Sequence, residues 1–199
     1  MDMNAVFAQF PRLESDRLLL ERIDERHLDD LYDIYSNDKV FAYCGIIPKH
    51  NKQTVKKMIG HFDRDYRKQS RIKWGILLKQ EREKLVGIME AFDFQPKVEM
   101  VTIGYFLAEA YWGRGIAREA VQVAVDFLMK EAQANRIQAE VMPANEASRK
   151  VLLANGFRHE GTLRQATFWT GQGIVDLQIY GLLKDDEAVA SKENSLTGK

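Results

Sequence analysis

Two glycines one residue apart, Gly113 and Gly115, stand in the stretch YWGRGIAREA between an apolar run and a run with helical spacing. Glycine weakens either kind of element. It is useful where the backbone needs a positive φ or must let another group come close. A strand that enters a helix through such a turn leaves the first helical N–H groups unpaired, with the positive end of the helix dipole behind them. That arrangement binds anions, phosphates above all. Arg114 and Arg118 add charge beside it. The feature has three readings besides a bare turn. A dinucleotide fingerprint needs Gly-x-Gly-x-x-Gly, and its third glycine position is Arg118 here. A Walker A loop needs a Gly-Lys-Ser/Thr ending, which this chain lacks. The third reading is a pyrophosphate carried by another ligand on another fold.

The elements that must position this turn follow from periodicity. Arg17 to Ile23 reads as a strand. A helix capped at Asp24 places Leu28, Leu31, Tyr32 and Tyr35 on one side, and a second, capped at Asn51, does the same with Val55, Met58, Ile59, Phe62 and Tyr66. Strands are predicted over 72–79, 84–94 and 100–107, the first two joined by the charged turn Gln80 to Glu83. The glycine turn then opens a helix with Ile116, Ala120, Val123, Ala124, Phe127 and Leu128 on one face. A strand at 137–142 comes next. A helix follows, capped by Asn145 and stopped at Gly156, and two strands joined at Thr170 to Gly173 end the fold. Meandering strands first and a β-α-β unit later predict an α/β class (α+β mixed sheet) of six to seven strands flanked by helices. Residues 1–183 form one domain in this reading, and the polar tail 184–199 is expected to be disordered.

Bulk composition narrows the function classes. Lys+Arg and Asp+Glu both number 29 in 199 residues, and a zero net charge argues against a dedicated nucleic-acid binder. The single Cys44 cannot make an internal disulfide, the N-terminus has no signal-peptide core, and no apolar run is long enough to span a membrane. A cytoplasmic protein without a membrane partner is the expectation, monomer or homodimer. The four histidines show no metal-ligand spacing, so no metal is expected.

WGRGIA followed by REA resembles motif A of the GNAT N-acyltransferase superfamily, written Gln/Arg-x-x-Gly-x-Gly/Ala, with Trp112 at the first position and Gly115 and Ala117 at the small ones. LESDRLLLERI, IGYFLAEAYWGRGIAREA, NEASRKVLLANGFRHEGTLR and GIVDLQIYGLL resemble, in order, blocks of the branch that contains ribosomal-protein alanine and serine N-acetyltransferases. The resemblance covers almost the whole chain. It implies a GNAT-like fold and acetyl-CoA as cosubstrate. The acceptor would be a primary amine, such as the N-terminal amine of a ribosomal or other protein. A small-amine or antibiotic acceptor and a non-catalytic acyl-CoA-binding module are the alternatives.

The same resemblance implies residue roles. The CoA pyrophosphate would lie on Gly113, Arg114, Gly115, Ile116 and Ala117. The pantetheine arm would add like a strand to backbone near Phe106 and Leu107, with Asn145 close by; its two amides suit an exposed strand edge. Ser148 would supply a proton to the leaving thiolate. Many relatives use a tyrosine for this at a position held here by Leu152. The Leu107 N–H could polarise the thioester. The branch often carries a glutamate where this chain has Thr102, so the general base would come from elsewhere. Glu90 is the first candidate, because a charge inside GIMEAFDF suggests a side chain facing a cleft, with Asp93 and Glu99 behind it. Tyr105, Phe168 and Trp169 are candidate linings of the substrate mouth.

Overall fold

The computed structural model describes residues 1–81 and 84–186. It has an N-terminal helix α1 (Met3–Phe7), strands β1 (Leu13–Glu14) and β2 (Leu18–Arg22), and helices α2 (Leu28–Tyr35) and α3 (Lys52–Arg67). Strands β3 (Arg71–Leu78), β4 (Lys84–Gln95) and β5 (Met100–Leu107) follow. After them come α4 (Ile116–Lys130), β6 (Arg136–Val141), α5 (Glu146–Ala154), β7 (Arg158–Trp169) and β8 (Gly173–Leu183). The strands form one mixed sheet in the order β1-β2-β3-β4-β5-β6-β8-β7.

The helix starts follow side-chain chemistry. Asn51 accepts hydrogen bonds from the N–H groups of Gln53 and Thr54 and so opens α3. Asn145 accepts one from the Ser148 N–H and opens α5. Asp24 caps a 3-10 turn, Glu25–His27, that leads into α2. At the far end of α5, Gly156 takes a φ of 82°, the left-handed conformation that ends a helix at little cost.

The sheet has two apolar faces. One carries Leu18, Leu20, Trp74, Met89, Val101 and Ile103 against Ala120, Ala124 and Leu128 of α4. The other carries Leu19, Leu77, Ile88 and Phe106 against Leu31, Ile34 and Tyr35 of α2 and Val55 and Ile59 of α3. Burial on both sides explains why β3, β4 and β5 read as nearly continuous apolar runs.

Among the described residues, eight strands stand where six to seven were expected. The additional one is β1, whose two residues pair with Leu19 and Leu20 and are too short to show a period. Helix α1, opened by the Asp2 side chain, was also not anticipated. The expectation of a disordered tail concerns residues of which 187–199 lie outside the described part, as do Arg82 and Glu83 of the charged turn. Within the described tail, the Lys184 N–H donates to the Asn135 carbonyl, 2.9 Å away.

Candidate active site

The chemistry-bearing residues converge where the sheet comes apart. β5 and β6 are parallel neighbours over only four pairs, Met100↔Arg136 to Ile103↔Ala139. Beyond Ile103, β5 continues to Leu107 on β4, while β6 continues to Val141 on β8. The two strands part and leave a gap between Gly104–Leu107 and the end of β6. Strand geometry decides which groups face it. The Ala108 N–H bonds to the Val86 carbonyl, 2.8 Å away on the β4 side. Backbone groups alternate with period two, so Phe106 also faces β4, and Tyr105 and Leu107 face the gap. Of the two residues expected to hold the pantetheine, Leu107 thus offers its N–H to the gap, while its carbonyl accepts from Trp112 Nε1. Phe106 instead sets its ring edge-on to Tyr35 and Phe41, with centroids 5.8 and 5.1 Å away.

The glycine turn lies just beyond this gap. Gly113 and Gly115 have φ of 72° and 75°, and Gly115 precedes α4 with no side-chain cap. The first helical bond there runs from the Glu119 N–H to the Gly115 carbonyl at 3.1 Å. The N–H groups of Ile116, Ala117 and Arg118 therefore have no acceptor within the helix. A Cβ at Gly113 would meet nothing within 4 Å, so the cradle is open. Arg114 and Arg118 are exposed beside it, and the Arg114 guanidinium stands 5.0 Å from the centre of the Tyr111 ring. The unpaired donors, the open space and the cationic rim fit a pyrophosphate.

Two contacts fix the turn. Trp112 donates its Nε1–H to the Leu107 carbonyl at 2.9 Å, which ties the turn to the end of β5. Arg17 donates to the Arg114 carbonyl at 3.2 Å and to Glu119 at 2.6 Å, and Glu119 also accepts from the Ser15 hydroxyl at 2.6 Å. Burial alone would raise the Glu119 pKa, but the Ser15 and Arg17 bonds outweigh it and hold the carboxyl below its usual range. Sequence reading missed this clamp. No local pattern pairs an arginine at the head of one strand with a glutamate in the first turn of a helix about a hundred residues later.

On the α4 side of the gap, Ser148 in the first turn of α5 lies with its Oγ 2.9 Å from the Tyr105 hydroxyl. Its N–H donates to Asn145 Oδ1 at 3.1 Å, so Asn145 acts here as a helix cap. Leu152 is fully buried one turn further on. Tyr105, taken from sequence as mouth lining, is directed to Ser148.

On the opposite face, Glu90 stands across from Gly104 in the β4–β5 ladder. It is only 8 % exposed. Its Oε2 takes both Lys73 Nζ at 2.5 Å and Arg71 Nη1 at 2.8 Å. Oε1 lies over Gly104, 3.1 Å from where a Cβ would stand. Desolvation would raise this carboxyl's pKa. Lys73 and then Arg71 more than offset it, and the group stays ionised below the ordinary carboxylate range. A general base works best with a pKa near the working pH, so these two cations move Glu90 away from the role expected of it. Glu109, just past β5, is held low by bonds from Asn37 and Lys39. Glu99 accepts from the N-terminal ammonium at 2.6 Å. It stands about 17 Å of strand away from Gly104. Asp93 is exposed in an irregular turn of β4 with φ 52°. Thr102, at the branch's glutamate position, is buried.

The hairpin β7–β8 closes over this second face. The Trp169 indole lies so near Gly45 that a Cβ there would come within 2.8 Å of it, and the Gln172 amide donates to the Ala42 carbonyl. Phe168, by contrast, is solvent-exposed. Cys44, in the same loop, has its thiol pushed up to about 11 by burial and then by Glu90.

Comparison with known proteins agrees with this geometry. The family described as acetyltransferase (GNAT) domain matches residues 17–158. The chain is 32 % identical to the uncharacterized N-acetyltransferase YoaA of Bacillus subtilis, over 89 % of this chain and 99 % of that protein. It is 24 % identical to the ribosomal-protein-serine acetyltransferase of Escherichia coli, over 87 % and 96 % of the two chains. Among solved structures, RimJ of Mycobacterium smegmatis in complex with CoA-disulfide shares the fold, with a TM-score of 0.75 and 21 % identity over 91 % of this chain and 93 % of that one. The expected mixed sheet, splayed at one end and followed by a phosphate-type turn, is therefore the GNAT fold. The chain belongs to the GNAT acetyltransferase family and is an acetyl-CoA-dependent acetyltransferase.

Proposed function

We propose that the acceptor is an α-amine, the N-terminal amine of a protein chain, and that it approaches from the face that carries Glu90. The observation behind this reading is the Arg71–Lys73–Glu90 cluster. Its carboxylate is a weak base, so the amine has to arrive neutral or lose its proton to water. An α-amine, with a pKa near ~8, is partly neutral at pH 7, whereas a lysine amine, near ~10.4, is almost wholly charged. Two cations to one anion also disfavour a polycationic acceptor such as a polyamine or an aminoglycoside. Oε1 of Glu90, the oxygen that lies over Gly104, offers the amine a hydrogen-bond acceptor that orients it. Relatives named as ribosomal-protein serine and alanine acetyltransferases support a protein as acceptor. The test is CoA release with N-terminal peptides, polyamines, aminoglycosides and free amino acids side by side. Peptides are expected to have the highest kcat/KM, and their rate is expected to rise with pH through the pKa of their own α-amine. A preference for polyamines or aminoglycosides would overturn the reading.

In this reading the pyrophosphate rests on the N–H groups that follow Gly115, with Gly113 and Arg114 around it and Ile116 and Ala117 as donors. The pantetheine runs along Tyr105 and Leu107, with Asn145 at the far side of the gap. Acetyl-CoA supplies the activated acetyl group, and in this reading the Leu107 N–H bonds the thioester oxygen as charge develops there. Ser148 donates a hydrogen bond to the departing sulfur. A thiolate is already a tolerable leaving group near neutral pH, so Ser148→Ala is expected to lower kcat by about 10- to 100-fold, at or below the low end of acid catalysis. The KM for acetyl-CoA should change little; steady-state kinetics checks both.

The clamp gives a further prediction. Arg17→Gln frees the turn while leaving its donors in place. The KM for acetyl-CoA is expected to rise about 10-fold, the equivalent of one charge-assisted bond, with kcat within about twofold. A KM equal to that of the wild type would show that Trp112 alone holds the turn.

A further inference from the structure

We infer that Tyr105 is a positioning residue for Ser148: it holds the Ser148 hydroxyl at the gap and replaces the bond that this hydroxyl gives up when it turns to the leaving sulfur. The inference rests on the role given above to Ser148. It adds a group that sequence reading assigned to the substrate mouth.

The geometry leaves Ser148 little freedom. Its N–H donates to Asn145 Oδ1 at 3.1 Å, and its carbonyl accepts from the Tyr105 hydroxyl at 3.2 Å. Its Oγ lies 2.9 Å from the same hydroxyl. The two residues come from opposite sides of the gap, Tyr105 from the end of β5 that pairs with β4 but no longer with β6, and Ser148 from the start of α5. The tyrosine hydroxyl that α5 lacks at Leu152 thus reaches the same region from the neighbouring strand.

Counting protons gives two arrangements. A carbonyl can only accept. When Tyr105 donates to the Ser148 carbonyl, its oxygen accepts the Ser148 hydroxyl proton, and both hydroxyls are satisfied internally. When a thiolate forms in the gap, the Ser148 hydroxyl turns to it, and Tyr105 can swing its proton from the carbonyl to Ser148 Oγ. The lone pair that Ser148 exposes is then still bonded. Burial, chiefly, pushes the Tyr105 phenol well above its usual range, so it stays protonated and acts as a donor without giving its proton away. The reaction balances without it. The neutral amine attacks the thioester carbon, a C–N bond forms, and the C–S bond breaks with its electron pair on sulfur. The nitrogen then loses one proton to water, and the products are the amide and the CoA thiolate. Tyr105 neither gains nor loses a proton across the cycle.

The test is a double-mutant cycle on the full chain with two readouts. Tyr105→Phe keeps the ring and removes the hydroxyl. It is expected to lower kcat about 3- to 10-fold, the worth of one neutral hydrogen bond. The KM for acetyl-CoA should stay within twofold and the thermal midpoint within a few degrees. In the Ser148→Ala background, Tyr105→Phe is expected to cost nothing further, because its partner is gone. The second readout is free of turnover. The thiolate absorbance of enzyme-bound CoA, read as a difference against free enzyme, should appear at lower pH in the wild type than in either variant, with the double variant matching Ser148→Ala. Two outcomes would overturn the inference. If Tyr105→Phe slows the Ser148→Ala enzyme by the same factor as the wild type, or leaves kcat and the thiol midpoint unchanged while Ser148→Ala shifts both, only the role of Tyr105 fails. If Ser148→Ala behaves as wild type in both readouts, the role of Ser148 fails and that of Tyr105 with it.

Discussion

Replacing Gly115 by valine is expected to raise the dissociation constant for CoA about 100-fold while leaving the protein folded. Gly115 holds a φ of 75°, and a Cβ there would meet only Arg17 Nη2, 3.6 Å away. The protein has room for a Cβ there, so the chief cost to the fold is the left-handed backbone, about 1–3 kcal/mol. The ligand does not have that room. A branched side chain at the head of α4 stands over the unpaired N–H groups of Ile116 and Ala117. Losing one or two charge-assisted bonds at about 1.5–3 kcal/mol each corresponds to roughly a hundredfold in affinity. Gly115→Ala separates the two effects. Alanine there carries the same left-handed strain with a Cβ but without the branches that reach over the donors. Titration calorimetry with CoA, paired with thermal melts of both variants, reads the difference. Unchanged affinity in Gly115→Val would remove the phosphate from this turn.

The second large effect concerns stability. Glu90→Gln is expected to lower the thermal midpoint at pH 7 by about 10 °C. The substitution leaves Lys73, whose side chain is 10 % exposed, and Arg71 without the charge that balances them. Removing one partner from a buried ion pair typically costs about 3–5 kcal/mol, and each kcal/mol moves the midpoint of a chain this size by roughly 2–4 °C. Adding Lys73→Met to Glu90→Gln should recover much of the loss, since it removes the stranded cation. The pH dependence has a defined sign. The folded pKa of Glu90 lies below its unfolded value of about 4.3. Its stabilisation is therefore fully present above that value and is lost as the pH falls through the folded pKa. Wild type should lose stability faster than Glu90→Gln below about pH 4, and melts across that range check it. A Glu90→Gln protein as stable as wild type at pH 7 would contradict the account of this cluster.

The physics of the chain explains which parts could be read in advance. Helix starts at Asn51 and Asn145 and the stop at Gly156 are local, because a cap acts on N–H or C=O groups within four residues of itself. The glycine turn was readable for the same reason, and with it the anion cradle. The gap was not, since periodicity shows a strand but not where two parallel strands cease to pair. That depends on β6 following β8 beyond Ala139 while β5 follows β4. Phe106 and Leu107 were implied together by the family resemblance, yet strand alternation sends their backbones to opposite sides. Tyr105 and Ser148 lie 43 residues apart, and Arg17 and Glu119 lie 102 apart. Contacts of that range leave no trace in a local pattern. Glu90 drew notice as a charge in an apolar run, but its effect depends on Arg71 and Lys73, which alternate with apolar residues on the neighbouring strand and reach it only through the β3–β4 register.

The central claim is that CoA lies with its pyrophosphate on the start of α4 and its pantetheine along the free edge of β5. Amide hydrogen exchange resolved to single residues, with and without CoA, tests this most directly. The account predicts that CoA slows exchange at Ile116, Ala117 and Arg118 and at Tyr105 and Leu107, and leaves Phe106, already paired to β4, unchanged. CoA binding without protection at those two sets of amides would contradict it.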